Sequence, residues 1–307
     1  MERDLNARAG LVVPLLVALT AAAPPPLLEL TAGETIPVVV NGETLRIMVE
    51  TDNLDRLVLN AATVARLGLE PATLKGKATV KIGPTVVLRG RNRPLDHSIA
   101  GAMSGDRIVW FDDLNASKAD GSIGPWSIPH DRVAFRLPGS GARRYSFPLS
   151  GSVDSPGYTM ILAPDYRFGM TIGVGNPGRY PVASAAAGAD IAKALGGVAS
   201  TESWEEEVLL GIRRPVRRVD LATPLVIGPW RFSSIAVRVR DARDGMGAGG
   251  AIPQAMRDDD DPAEITVTAN AAKGPRPIYT LNIGAAALAP CSRIEYAKAD
   301  RQIRLDC

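Results

Sequence analysis

From Glu34 onward the chain is built of short apolar runs broken by glycine, proline and asparagine, a rhythm that predicts strands and turns rather than a helical bundle. "ETIPVVVNGETLRIMVE" reads as two strands joined at Asn41-Gly42, the dipeptide best suited to a tight hairpin. "AATVARLG" predicts a helical stretch that stops at Gly68. "ATVKIGPTVVLRG" alternates around Gly83-Pro84, and "DRIVWFDDL" is a further strand. "RVAFRL" and "RRYSFPL" predict the arms of a hairpin.

The second half follows the same order. "FGMTIGVGNPGRYPVAS" predicts a hairpin with Asn176 and Gly178 in its turn. "AAAGADIAKALGG" predicts a helix ending at Gly196-Gly197, and "PLVIGPWRFSSIAVRVRD" a strand, a Gly-Pro turn and a strand. Ile123-Gly124 with its following segment aligns with Ile283-Gly284 and its own, so each half closes on Ile-Gly, a short apolar stretch and a hairpin. Two copies of one β-rich unit, joined near Gly151–Gly157, account for this order. The expected boundaries are 1–26 for an N-terminal segment, 27–150 for a first unit and 151–307 for a second.

Composition sharpens this picture. The 307 residues are 46% apolar and only 5% aromatic, which suits cores of Val, Leu, Ile and Ala. Thirty-five basic and 33 acidic side chains leave a net charge of +2, without the global field that attracts nucleic acid or anionic lipid. "LVVPLLVALTAAAPPP" follows the pattern of a secretory signal, an apolar run ending in small residues, and is otherwise an uncleaved N-terminal anchor. Export to the bacterial periplasm is the expectation. Cys291 and Cys307 flank a predicted hairpin centred near residue 299, which sets them across from each other and predicts a disulfide.

The order of these features resembles the retropepsin-like and pepsin-like aspartic proteases of bacteria. "VNGETLRIMVE", "VARLGL", "DGSIG" and "RVAFRL" stand where that family has its opening hairpin, its "LGL" helix, its Gly-x-(Leu/Ile)-Gly turn and its closing hairpin. The second half offers "VGNPGRYPVA", "AKALGG", "NIGAAAL" and "SRIEYAKADRQIRL". The resemblance implies a mostly β fold of two pseudo-symmetric β-barrel lobes with a cleft between them and short helices. It identifies Gly121, Gly124 and Gly284 as fold-motif glycines.

In that family each lobe supplies one Asp of an Asp-(Thr/Ser)-Gly motif, and the two carboxyls share a proton while activating water against a peptide bond. Here Glu50-Thr51-Asp52 occupies the first motif. Glu50 is a methylene longer than Asp, and Asp52 carries a side chain where glycine lets the two loops approach. The second-lobe counterpart is expected within Ala183–Ala187, where Ser184 is the one polar side chain. "VDSPG" at Val153–Gly157 reads as the lobe linker.

The dyad therefore reads as lost. The leading expectation is a monomeric, exported pseudo-peptidase that holds a peptide or protein segment in its cleft, without cofactor or metal. The alternatives are an active peptidase using Glu50 or Asp52 with a second acid, and a structural envelope module. Other chemistries find less support. "GVGNPG" has the letters of a phosphate-binding loop, but prolines stand where a helix would start. His97 and His130 lack an acid-serine pattern and read as surface histidines. Arg213, Arg214, Arg217 and Arg218 read as a solvated strand-and-turn face. Trp126 and Trp230 read as packing residues. Asp258–Asp261 lack the ligand spacing of a calcium loop.

Overall fold

The computed structural model describes residues 27–52, 56–69, 76–82, 86–111, 118–150, 158–163, 166–239 and 279–307. The expected export segment, the 151–157 linker and the Asp258–Asp261 run lie outside the described residues. Strands dominate, arranged in curled half-barrel sheets.

The first stretch runs β1 (Leu28–Thr31), β2 (Thr35–Val40), β3 (Glu43–Val49), β4 (Val58–Leu59), α1 (Ala61–Arg66), β5 (Gly76–Ile82), β6 (Val86–Pro94), β7 (His97–Ile99), β8 (Ala102–Ser104), β9 (Arg107–Phe111) and β10 (Gly121–Ile123). β2 and β3 pair around Asn41 and Gly42, both with positive φ (51° and 81°), as the Asn-Gly reading requires. Alternate residues Ile36, Val38 and Val40 of β2, and Leu45, Ile47 and Val49 of β3, turn inward, so one face of the ribbon is core. α1 ends at Arg66, and Leu67 caps it before Gly68, whose φ of 61° suits glycine.

The chain continues through β11 (Arg132–Arg136), β12 (Arg144–Ser150), β13 (Tyr158–Ala163), β14 (Tyr166–Gly173), β15 (Val182–Ala183), α2 (Ala185–Leu195), β16 (Gly197–Leu209), β17 (Ile212–Ile227), β18 (Trp230–Arg238), β19 (Thr280–Gly284), α3 (Ala285–Leu288), β20 (Arg293–Ala297) and β21 (Gln302–Asp306). A nine-stranded sheet has the order β5-β6-β9-β4-β10-β3-β2-β7-β8, and a twelve-stranded one the order β1-β11-β20-β21-β12-β13-β14-β19-β15-β18-β17-β16.

One pairing pattern occurs twice. β3 runs parallel to β10, β10 antiparallel to β4, β4 parallel to β9, β9 antiparallel to β6, and β6 antiparallel to β5. β14 runs parallel to β19, β19 antiparallel to β15, β15 parallel to β18, β18 antiparallel to β17, and β17 antiparallel to β16. Ile123 opposes Val49 and Ile283 opposes Ile172, so the Ile-Gly repeat read from the sequence falls on matching registers. We refer to these as the first and second pairing units.

Two expected hairpins do not form. β11 and β12 are not partners: β20 and β21 lie between them, β11 pairing with β20 and β12 with β21. The C-terminal hairpin thereby satisfies both strands' backbone groups and buries Phe135 edge-to-face against Tyr296. β14 and β15 likewise do not pair with each other, because β19 runs between them. Both units contribute to one contiguous core that includes Leu45, Ile47, Ile123, Ile172, Leu281 and Ile283.

The predicted disulfide is present. Cys291 and Cys307 are bonded just beyond the ends of the β20–β21 ladder, where Ser292 N–H donates to the Asp306 carbonyl. The histidines differ from expectation. His97 and His130 are both buried, His97 with Nδ1 against the Leu95 carbonyl, and burial followed by the Lys298 charge lowers the pKa of His130. The arginine-rich stretch lies in β17, where Arg213 is exposed but Arg214 and Arg217 are buried, so it is a solvated face only in part. Trp230 is a packing residue, stacked on Phe147 with its indole N–H donating to the Ala287 carbonyl. Among the described residues no helix is long and apolar enough to cross a membrane.

Candidate functional site

The Glu50-Thr51-Asp52 segment leaves the end of β3 at the point where the two pairing units meet. Glu50 donates its backbone N–H to the Ile123 carbonyl at 3.0 Å, continuing the β3–β10 ladder so that it stands opposite Gly124. In the second unit the same register position belongs to Gly173, which opposes Gly284. The pairing thus gives Gly173 the place that the sequence reading assigned to Ala183–Ala187. Gly173-Val174-Gly175 carries no side-chain functional group, and for that reason it offered no chemical signal in the sequence.

Ser184 has a structural position. It is 3% exposed at the N-cap of α2, where its hydroxyl accepts from Ala187 N at 3.4 Å and from Thr280 N at 3.1 Å. Asn60 has the matching place at the start of α1. Gly121 stands where an added Cβ would run into the Val58 carbonyl, and Gly284 where one would meet the Asn176 and Gly178 carbonyls at 3.0 Å. Gly124 is buried and leads into a 3-10 turn at Pro125–Ser127.

Thr51 joins the two units. Its buried hydroxyl donates to the Ile172 carbonyl and accepts from the Val174 N–H at 3.0 Å. One hydroxyl thereby satisfies a carbonyl and an amide of the second unit's glycine segment, on either side of Gly173. A hydroxyl is the group that can do both at once.

Asp52 completes the contact. A Cβ built on Gly173 would lie 2.5 Å from Asp52 Oδ2 and 3.0 Å from its Cγ, so the carboxyl packs directly over the glycine α-carbon. Asn282 Nδ2, from β19, donates to the same Oδ2 at 3.2 Å. Asn282 Oδ1 is buried with no hydrogen-bond partner among the described residues. Asp52 retains some exposed surface, but its carboxyl oxygen is turned inward against Gly173 and Asn282. Burial pushes its pKa up, the Asn282 hydrogen bond opposes that rise, and the nearby Glu207 charge adds to it.

Glu207 belongs to the long β16–β17 hairpin, whose strands of 13 and 16 residues far exceed the 7 and 9 of β5 and β6. Alongside it, Glu206 accepts from the Trp204 indole N–H at 2.7 Å and lies close to Gly178. The hairpin turns at Leu210-Gly211, both with positive φ (54° and 75°). Leu210 is only 3% exposed, packed with Ile212 against Val58, Leu88, Val109 and Phe111 of the first unit. Asparagine is the residue such a turn favours, so a leucine held there marks apolar insertion as the stronger demand. The sequence reading weighed Gly173 and Val174 only as part of "GVGNPG", and gave no role to Asn282, Glu207 or Leu210.

Among the described residues no group of three or more His, Cys, Asp or Glu side chains is arranged to hold a metal ion. No family model matches the chain, and no curated protein matches it.

Proposed function

We propose that the chain is an exported, monomeric protein of two aspartic-protease-like lobes, 27–150 and 151–307, that holds an extended peptide or a partner's strand between them without cleaving it. The observation that carries this reading is Gly173. Aspartic-protease chemistry needs an acid from each lobe, and the residue in register with Glu50 has no side chain. The resemblance in motif order gains support from the repeated strand pairing, and the lobe contact through Thr51 supports a retained cleft architecture. Export is supported by the Cys291–Cys307 bond, since such bonds persist in oxidising compartments.

A specific observation favours a second reading, an acid peptidase working through Asp52. Its carboxyl lies over Gly173 and holds its proton more tightly than an ordinary aspartate. Against it, the Asp52 oxygen is spent on Asn282 and packed where a second-lobe side chain would begin rather than where its carboxyl would end.

A mixed peptide library incubated with the protein from acidic to neutral pH tests both. Intact peptides co-eluting with the protein support the binding reading, and inhibitor-sensitive products that vanish in Asp52→Asn support the second. A protein that neither binds nor cleaves is a structural envelope module.

A further inference from the structure

The β16–β17 hairpin reaches from the second pairing unit onto the first. Along β16, Glu206 lies beside Gly178, where an added Cβ would stand 3.0 Å from Glu206 Oε1. Gly178 N–H donates to Asn176 Oδ1 at 2.9 Å, and Asn176 Cβ would lie 3.1 Å from a Cβ on Gly173. The hairpin thus passes the segment whose glycine packs over Asp52. Four further residues of extended strand cover about 13 Å, and they bring Leu210 onto the first unit.

There the tip fills an apolar slot. Leu210 and Ile212 share a cluster with Val58, Leu88, Val109 and Phe111, and the half-buried Ala78 and Val80 pack against it. All the first-unit side chains of this cluster are apolar, so the slot accepts an aliphatic side chain and penalises a polar one. The turn itself is shaped within the hairpin: Gly211 N–H donates to Glu207 Oε1 at 2.9 Å, and Arg213 donates to the Glu205 carbonyl at 2.7 Å. No ladder ties the tip to the first unit, because among the described residues β16 pairs with β17, and β17 with β16 and β18. Leu210 also sits at a φ of 54°, a left-handed backbone that disfavours leucine. An aliphatic contact made without backbone pairing, from a disfavoured backbone, can be exchanged for the same contact made by another chain.

We infer that this slot is a side-chain subsite for a leucine- or isoleucine-like residue of the held peptide, and that Leu210 plugs it in the resting protein. A ligand enters as the tip withdraws. The inference rests on the peptide-holding reading and names the residue class that the site selects. A plugged subsite lowers apparent affinity by the fraction of molecules in which it is open, so removing the plug raises affinity.

Titration of the full chain, labelled at its Val and Leu methyl groups, with two peptides tests this by NMR. The first is an octapeptide of threonine with one central leucine, and the second has aspartate in place of that leucine. Leu210→Asn, which keeps a turn-favouring residue at the tip, is expected to bind the leucine peptide at least tenfold more tightly than the wild type, with shifts at the methyls of Val58, Leu88 and Val109. The aspartate peptide is expected to gain nothing. Leu210→Gly should behave in the same way, and unmoved methyls of Val38 and Leu45 report that each variant is folded. Equal affinity in the wild type and both variants overturns the inference. Binding that leaves the slot methyls in place overturns it while leaving peptide holding intact, as does capture of library peptides by a wild type whose variants ignore the leucine probe. Failure of every form to bind any peptide sinks both readings.

Discussion

Val174 donates its backbone N–H to the Thr51 hydroxyl at 3.0 Å, and that hydroxyl in turn donates to the Ile172 carbonyl two residues earlier. A single side chain of the first pairing unit thus pins the segment of the second unit that stands in register with Glu50. Thr51→Val keeps the shape and deletes both bonds. The Ile172 carbonyl retains a long bond from the Tyr296 hydroxyl at 3.4 Å, whereas the Val174 N–H is left buried and unpaired. The expected loss is about 2–3 kcal/mol, read as a lower urea midpoint at unchanged m-value, with Thr51→Ser losing much less.

Asp52 sets a pH dependence of opposite sign to that of a salt-bridged carboxylate. Its pKa in the folded protein lies above the ordinary value, so the folded state binds the proton more tightly than the unfolded chain. Its effect is absent below the unfolded value of about 4, where both states are protonated. Stability is lost as pH rises from there through the raised folded value, and the loss is complete above it. Urea midpoints across this range should therefore fall more steeply for the wild type than for Asp52→Asn, and Asp52→Asn should be the more stable of the two at pH 8.

Leu210 weighs turn chemistry against burial. Replacing it with Asn relieves a left-handed backbone position, worth about 1 kcal/mol. It also forfeits burial of a leucine side chain, about 2–3 kcal/mol. Burial wins, so Leu210→Asn should destabilise the protein by roughly 1–2 kcal/mol although Asn-Gly is the better turn sequence. A thermal scan that finds the variant more stable would mean that the tip is not seated on Val58, Val109 and Phe111.

The Cys291–Cys307 bond closes a 16-residue separation near the C-terminus. Loop-closure arithmetic gives about 3 kcal/mol of stabilisation for a loop of this size. Reduction should lower the melting temperature without abolishing the fold, and a double Cys→Ser variant should melt like the reduced protein.

Local signals were the legible part of the sequence. Asn41-Gly42 announced its turn, Gly68 and Gly196 their helix ends, and the two cysteines their hairpin, because each depends on residues close in sequence. The insertion of β20 and β21 between β11 and β12 was not legible, since it is fixed by pairing across more than a hundred residues. The buried arginines escaped notice because charge reads as surface until register decides which side chains of β17 face inward. At the candidate site Thr51 and Asp52 were visible as polar residues in an apolar context. Their counterpart was not, because Gly173 announces itself by what it lacks, and the reading placed it within Ala183–Ala187, at the start of α2, instead.

The central claim is that a protein whose second unit carries Gly173 at the register position of Glu50 can hold a peptide but not cut it. Mass spectrometry of a mixed peptide library, incubated with the purified protein from acidic to neutral pH, tests it most directly. The prediction is that peptides recovered with the protein are intact at every pH. Cleavage products that appear with the wild type and disappear with Glu50→Gln or Asp52→Asn would contradict it.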